Sequence, residues 1–196
     1  NDRVAWGFTN IGTDVQDLYR EKALRTRREV IRVKGAPEEI LEVAEGVHGP
    51  QVEEGYSLKW AALDPANLAM PTEQLFASDW ASFNAAFDRF LGPAQNAVYA
   101  DRDGHVGYRA TGLVPIRRAG DDGSQPRDGS DPANDWKGYV PMAQMPRVFD
   151  PPSGFIITAN NRTIGTSFPF PVAAEWASPA RARRIADQLA RTRELD

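Results

Sequence analysis

The chain has 196 residues, of which 41% are hydrophobic, so it can bury a substantial core. Its net charge is −4 with acidic and basic residues mixed along the chain, which excludes the concentrated Lys/Arg patch that nucleic-acid phosphates require. The absence of cysteine excludes disulfides, thiolate nucleophiles and Cys-ligated metals.

The first third of the chain has the pattern of a meander of strands. Residues 3–8 and 29–34 have strand character, and residues 40–44 and 56–63 repeat the alternation of apolar and polar side chains. The chain begins at Asn1 without Met, a leader or an apolar run of membrane-spanning length. This start predicts a segment cut from, or processed out of, a longer protein.

A helix is predicted next, over residues 79–90, with Ser78 as its N-cap. The apolar side chains within it recur at helical spacing and form one aromatic face, made of Trp80, Phe83, Phe87 and Phe90. We expect this face to pack on a sheet.

The second half of the chain begins with a hairpin. Residues 96–100 and 105–109 flank a turn whose Asp-Gly pair supplies the positive φ that a tight hairpin needs. Residues 116–140 are rich in Gly, Asp, Pro and Arg and predict a long surface loop or an insertion, while residues 154–159 predict a strand. A final helix is predicted from Ser178 through Leu189. Strands with flanking helices predict an α+β fold over residues 1–196.

Familiar catalytic motifs are absent from the sequence. It contains no Gly-x-Ser-x-Gly elbow, no phosphate-binding glycine loop and no His-Glu-x-x-His pair. The histidines are His48, beside a Gly-Pro turn, and His105, on the hairpin. A Ser-His-Asp triad or a histidine zinc site would therefore have to use one of these two residues.

Two short polar segments could carry chemistry. Asp14 and Asp17 are three residues apart and could offer oxygen ligands to one hard cation, together with a backbone carbonyl between them. A helix start with acidic residues in its first turn explains the same spacing. Asn160 and Asn161 end the predicted strand, where an amide N–H could stabilise an oxyanion or where Asn could simply form a turn.

Several segments, in order along the chain, resemble the large (β) subunit of the penicillin acylase family and its acyl-homoserine-lactone acylase members. The similar segments cover nearly the whole chain: residues 1–10 (NDRVAWGFTN), 14–19 (DVQDLY), 48–50 (HGP), 92–96 (GPAQN), 99–101 (YAD), 104–108 (GHVGY), 135–141 (DWKGYVP), 152–156 (PSGFI) and 159–161 (ANN).

The resemblance implies part of the four-layer α-β-β-α sandwich of N-terminal-nucleophile hydrolases, with largely antiparallel strands. It also implies an amidohydrolase in which a Ser exposed by autocatalytic cleavage attacks an acyl amide and forms an acyl-enzyme. In this pattern the backbone N–H of Asn10 and the side chain of Asn160 stabilise the oxyanion, and Arg181 helps to organise the site.

The resemblance also implies a structural calcium ion. Asp14, the carbonyl of Gln16, and Asp17 match part of that site, but the stretch 162–175 lacks the further Asp that the pattern expects. No cofactor is required for the chemistry. The implied partners are a small-molecule acyl amide, the preceding part of the same subunit and a small α subunit, with no nucleic acid and no membrane span. The implied location is periplasmic or secreted, in a bacterium.

Asn1 cannot serve as an N-terminal nucleophile, because that role needs Ser, Thr or Cys. We therefore expect residues 1–196 to be an internal piece of the catalytic domain that is inactive by itself. One alternative is a non-catalytic binding or structural module that retains the scaffold. Another is an unrelated α+β hydrolase that uses His48 or His105.

Overall fold

The structure is a computed structural model that describes residues 1–68 and 72–191. The strands in this part of the chain are β1 (Val4–Asn10), β2 (Gln16–Arg20), β3 (Arg25–Ile31), β4 (Glu39–Glu45), β5 (Gln51–Glu53), β6 (Tyr56–Trp60), β7 (Gln95–Asp101), β8 (Val106–Thr111), β9 (Arg127–Asp128) and β10 (Arg147–Phe149). The α-helices are α1 (Trp80–Phe87) and α2 (Ala180–Leu189).

These strands form two four-stranded sheets and one separate hairpin. The first sheet has the order β1-β7-β8-β10 and is antiparallel throughout. The second has the order β5-β6-β2-β9, in which only the short β2–β9 pair is parallel. Strands β3 and β4 form a separate two-stranded sheet, and Glu45 at the end of β4 makes an isolated antiparallel bridge with Pro50. Mixed helices and mainly antiparallel sheets confirm the predicted α+β class.

One face of the first sheet is covered by α1. The register pairs Trp6 with Tyr99 and Phe8 with Ala97, so these side chains share that face. The predicted aromatic face of the helix is confirmed, because its buried phenylalanines pack there in a single apolar cluster with strand residues. Helix α1 ends at Phe87, however, and Phe90 joins the cluster from the turn beyond the helix.

The N-cap of α1 is Asp79 rather than the predicted Ser78. The Asp79 carboxylate accepts a hydrogen bond from the Ser82 backbone N–H at 2.7 Å, and the Ser82 hydroxyl accepts one from the Asp79 N–H at 3.2 Å. This reciprocal pair satisfies two backbone donors that a helix start otherwise leaves unbonded. Ser78 lies one residue too early to take part in this reciprocal pair as the N-cap.

A buried charge joins α1 to the sheet. Arg109 on β8 is only 1% exposed, and its guanidinium donates to the Asn84 carbonyl and to the Asp88 carboxylate, each at 2.5 Å. A buried guanidinium is tolerated only with such partners. No sequence pattern distinguishes Arg109 from the exposed arginines.

The opposite face of the sheet supports a second core cluster. Tyr108 and Ala110 of β8 point there, because the two faces alternate along a strand. They pack with side chains from the second half of the chain and from the end of β1: Ile11, Val114, Val140, Met145, Ile164 and Val172. This cluster lies beneath the segment that carries Asn160.

Several further predicted elements differ from the structure. The strand predicted at 56–63 ends at Trp60, and α2 begins at Ala180 with Pro179 instead of Ser178 as its N-cap. The strand predicted at 154–159 is wrong: β10 occupies the edge of the sheet beside β8, and Ile156 instead packs against the second core cluster without a strand partner. The strand predicted at 29–34 is shifted, because pairing with β4 begins at Arg25 and ends at Ile31. The helix start considered at residues 14–17 is wrong, since β2 begins at Gln16.

Residues 116–140 are more than the predicted surface loop. The segment contains β9, which pairs in parallel with β2, and it buries Arg117, Arg127, Asn134 and Val140. The polar composition that favours a loop therefore includes side chains that enter the interior. Separately, no α-helix in the described ranges is long and apolar enough to cross a membrane.

We predict that Gly107→Ala destabilises the fold by about 1–3 kcal/mol, as overpacking typically does. A Cβ at residue 107 would lie 2.4 Å from the Trp80 ring. That ring is held by Phe149, stacked at 5.2 Å, and by Tyr99 at 5.3 Å, so it has little room to move. Urea unfolding measures the change.

The matched control is Gly7→Ala, on β1 of the same sheet, where an added Cβ meets no atom within 4 Å. We expect this variant to stay within about 0.5 kcal/mol of the parent. Equal stability of the two alanine variants would contradict the packing argument.

Candidate active site

Asn10, the last residue of β1, is anchored through both its side chain and its backbone. It lies opposite Gln95 of β7, whose Nε2 donates to Asn10 Oδ1 at 2.8 Å. The Asn10 carbonyl accepts a hydrogen bond from Asn160 Nδ2 at 3.0 Å. Two residues that are 150 positions apart in sequence are therefore in direct contact.

Arg181 fixes the orientation of the Asn160 amide. One guanidinium nitrogen of Arg181 donates to Asn160 Oδ1 at 2.8 Å and to the Ala159 carbonyl at 2.7 Å. Because a guanidinium only donates, the amide oxygen must face it and the NH₂ must face Asn10. Asn160 also has a φ of 60°, a left-handed conformation that Asn tolerates better than most residues.

The three residues predicted for catalysis thus form one continuous chain of hydrogen bonds, from Arg181 through Asn160 to Asn10. One N–H of the Asn160 amide binds the Asn10 carbonyl, and the amide carries a second N–H that this contact does not use. A rigidly held amide with such a donor is the kind of group that can stabilise a developing negative charge.

Below these three hydrogen-bonded residues lies a buried amide that sequence reasoning missed. Asn96 of β7 is fully buried, and its Nδ2 donates to Thr9 Oγ1 at 3.1 Å and to the Asn10 carbonyl at 3.4 Å. Its Oδ1 accepts from Tyr108 at 2.8 Å and from Thr163 at 2.9 Å. The sequence feature that could have pointed to Asn96 is an amide side chain on the core-facing side of the predicted strand 96–100.

Tyr108 contributes a donor that stays protonated. Burial raises the pKa of the Tyr108 hydroxyl to about 12, and a hydrogen bond with Thr163 opposes this only in part. The hydroxyl therefore donates to Asn96 throughout the neutral range. Asn96 in turn links the second core cluster to the end of β1.

A cleft of about 430 Å³ opens beside Asn10. Its walls are mainly apolar, with Trp60, Leu91, Pro93 and Leu113 among the lining residues, and Gln95 lies at the same wall as Asn10. A mostly apolar cleft with a few polar groups is the usual form of a small-molecule site.

The predicted calcium ligands occupy a different environment. Asp17 is buried and accepts from Arg117 Nε at 3.0 Å, and Arg127 Nη1 lies 2.6 Å from Asp17 Oδ2. The indole N–H of Trp136 also donates to Asp17. Within residues 1–68 and 72–191, no group of three or more His, Cys, Asp or Glu side chains is arranged to hold a metal ion. Both carboxylate oxygens of Asp17 face guanidinium groups, so the residues as placed do not fit a cation. The calcium ion that the resemblance implies stays a prediction.

At this site the charged form of the Asp14 carboxyl is disfavoured. Burial raises the pKa of the Asp14 carboxyl, and Arg117 opposes that effect only in part. For Arg127, burial alone would lower the pKa of the guanidinium, but hydrogen bonds to Asp121 and Asp17 outweigh it and the pKa is raised. Arg127 therefore remains a permanent cation.

Each of the two histidines is paired with carboxylates. His48 is buried, with Nδ1 2.8 Å from Glu21 and Nε2 2.7 Å from Asp135, and its ring stacks on Tyr19. Both nitrogens are engaged with carboxylates, so neither can activate a nucleophile. His105 lies half-exposed at 2.6 Å from Asp150, which raises the pKa of its imidazole through a hydrogen bond.

The chain is similar in sequence to the proteins of one known family. The sequence profile described as penicillin amidase matches residues 1–196. The chain is 30% identical to penicillin acylase 2 proenzyme of Pseudomonas sp. (strain SE83), with 96% of this chain and 27% of that protein covered. It is 33% identical to acyl-homoserine lactone acylase QuiP of Pseudomonas fluorescens, with 95% and 26% covered. The chain therefore spans about a quarter of the length of these relatives.

Solved structures agree on the fold. A thermostable penicillin G acylase from Alcaligenes faecalis superposes with a TM-score of 0.80 at 24% identity, over 98% of this chain and 39% of that one. At this identity the likeness is evidence of fold alone. It confirms the sandwich architecture that the sequence resemblance implies.

We predict that Asn96→Ala costs about 2–4 kcal/mol of unfolding free energy, because it leaves the buried Tyr108 hydroxyl and the half-buried Thr163 hydroxyl with fewer partners. Thr163→Val removes a single hydroxyl at nearly constant shape and should cost about 1 kcal/mol. Chemical denaturation of both variants measures the difference. A smaller loss for Asn96→Ala than for Thr163→Val would contradict the role of Asn96 as the centre of the network.

Proposed function

Because the chain belongs to the penicillin amidase family, we propose that the protein that carries it hydrolyses an acyl amide through an acyl-enzyme. Relatives named as penicillin acylases and acyl-homoserine lactone acylases support this reaction class. A β-lactam side chain, an acyl-homoserine lactone and a lipopeptide are the substrate types that we propose. The reaction needs no cofactor.

The observation that carries the proposal is the hydrogen-bonded chain of Arg181, Asn160 and Asn10. As the tetrahedral intermediate forms, negative charge develops on the former carbonyl oxygen of the amide. The Asn160 amide N–H and the Asn10 backbone N–H are proposed to donate to that oxygen. Arg181 acts through Asn160 and is a positioning residue, since it contacts the amide oxygen of Asn160.

The nucleophile is proposed to lie outside residues 1–196, on a Ser at the start of the large subunit. Its hydroxyl oxygen would bond to the amide carbon, with its proton passing through the Ser α-amine to the departing amine as the C–N bond breaks. Water would then cleave the ester and release the acid. The short coverage of the curated relatives, 26–27%, supports a catalytic unit larger than this chain.

The cleft beside Asn10 is proposed to receive part of the substrate. Its apolar wall of Trp60, Leu91 and Leu113 suits a hydrocarbon or aromatic acyl group, and the polar edge at Asn10 would face the reacting carbonyl. A small α subunit and the preceding part of the same subunit are the proposed partners that complete the pocket.

We predict that residues 1–196 alone hydrolyse neither a chromogenic phenylacetyl amide nor a fatty-acyl amide. They would supply oxyanion donors without the attacking group, and donors alone do not start acyl transfer to an enzyme. Release of the chromophore is followed beside a buffer blank. Turnover above that blank by the isolated chain would contradict the proposed division of the chemistry.

We predict that Asn160→Ala in the complete, processed protein lowers kcat by about 10²–10³-fold while KM changes little, because the lost donor acts mainly in the transition state. Steady-state kinetics on the same chromogenic amides measures both constants. An unchanged kcat would contradict the role of Asn160 as an oxyanion donor, whereas a complete parent protein without any turnover would favour a non-catalytic module that retains the scaffold.

The matched controls for that experiment lie on α2. Arg181→Ala removes the contact that orients Asn160 and should lower kcat by less than Asn160→Ala. Arg183→Ala changes an exposed arginine on the same helix and should leave kcat unchanged. Equal effects of the two arginine variants would argue against a positioning role for Arg181.

A further inference from the structure

A buried charge cluster joins β2 to the segment 116–140. Asp17 of β2 has no exposed side-chain surface, and the side chains of Arg117 and Arg127 are 3% and 4% exposed. Arg117 donates to both carboxylate oxygens of Asp17, from Nε at 3.0 Å and from Nη2 at 3.2 Å. Arg127 Nη1 lies 2.6 Å from Asp17 Oδ2. Charges are buried to this extent only when they are closely paired.

Further contacts close the cluster on its other sides. Arg127 forms a bidentate pair with Asp121, at 2.7 and 2.6 Å, and Arg117 donates to the Asp14 carbonyl at 3.0 Å. The Trp136 indole N–H donates to Asp17, and the Arg117 guanidinium lies 5.8 Å from the centre of the Trp136 ring. The two guanidinium groups thus face three carboxylates, those of Asp14, Asp17 and Asp121, with Arg117 Nη2 at 3.7 Å from Asp14 Oδ1.

This arrangement leaves no place for a cation at Asp17. A divalent ion needs carboxylate or carbonyl oxygens that point into a shared space. Both oxygens of Asp17 already face guanidinium groups, and the Asp14 carbonyl that could contribute another ligand accepts from Arg117. An added ion would meet two fixed positive charges at contact distance, which is strongly unfavourable in a buried site.

We propose that Arg117 and Arg127 are built-in cations that hold the Asp14–Asp17 segment in the way a calcium ion would, and that they exclude divalent cations from it. Both arginines come from one segment of the same chain. The parallel pairing of β9 with β2 sets Arg127 opposite Tyr19, two residues beyond Asp17. Attachment to the backbone gives the two charges a fixed position without any ligand in solution.

Gly123 shows how closely this segment covers the cluster. Its φ of +90° lies in the left-handed region, and a Cβ there would lie 2.2 Å from an Asp14 carboxylate oxygen and 3.0 Å from the Arg117 guanidinium. The Gly123 backbone therefore lies directly against Asp14 and Arg117. The space beside it is a cleft of about 320 Å³ lined by Asp14, Gln16 and Asp17, so what opposes a cation there is the positive charge of the two arginines and not a lack of room.

The first test uses Tb³⁺, which substitutes for Ca²⁺ and luminesces when it binds close to an excited indole. An ion at Asp17 would lie against Trp136, so its emission would depend on that residue. We expect the complete protein and its Trp136→Phe variant to give the same Tb³⁺ emission. Emission in the parent protein that Trp136→Phe abolishes would overturn the proposal, wherever else the protein binds ions.

The second test compares thermal unfolding in EDTA and in millimolar Ca²⁺. Free Ca²⁺ at about 100 times the Kd of a site would raise Tm by roughly 5–10 °C for a folding unit of about 200 residues, and by less for a larger one. For R117M/R127M we expect a lower Tm in EDTA than for the parent protein, and recovery of part of the loss in Ca²⁺. The reason is that Asp14, Asp17 and Asp121 would then lack countercharges and could bind the ion.

The matched control is Arg118→Met, the neighbouring arginine, which is 55% exposed and lies 4.0 Å from Asp121. We expect its Tm to equal that of the parent protein in both buffers. An R117M/R127M variant as stable as the parent in EDTA would overturn the structural role of the two arginines. If that variant does not fold in EDTA, the role is supported, and Tb³⁺ emission from the parent protein still decides whether an ion is excluded.

Discussion

The register between β1 and β7 is the constraint on which most of the fold depends. Seven consecutive pairs run from Val4 with Asp101 to Asn10 with Gln95. A shift by one residue would send every side chain of β1 to the opposite face. The register thus sends Trp6 towards α1 and, at the same time, sets Thr9 beside Asn96 on the face below the candidate site.

Buried polar groups turn that register into a unique arrangement. Apolar clusters tolerate some repacking, whereas a buried amide or guanidinium must find its specific partners. Arg109 fixes α1 against one face, Asn96 fixes the end of β1 on the other, and Asp17 ties the second sheet to the segment 116–140. Each of these groups joins parts of the chain that are far apart in sequence.

Local patterns predicted the elements that depend on local physics. The hairpin of β7 and β8, the aromatic face of α1 and the strand β1 all follow from alternation, helical spacing and turn chemistry. The same patterns failed for residues 154–159, where apolar content reflects packing of Ile156 and not strand pairing. They also failed for residues 116–140, because a buried Arg127 has the same sequence signature as an exposed one.

The candidate site also depends on contacts between distant residues that local patterns do not predict. Asn10 and Arg181 came from a resemblance alone, since neither spacing nor composition links residues this far apart. For Asn160, the end of a predicted strand left an oxyanion donor and a turn residue open, and the resemblance favoured the donor. In the structure the three residues are joined by hydrogen bonds: Arg181 can only donate, so it sets which end of the Asn160 amide faces Asn10. Asn96 holds the same Asn10 carbonyl from below. Donors fixed from two sides need little rearrangement when charge develops, and such preorganisation makes an oxyanion site effective.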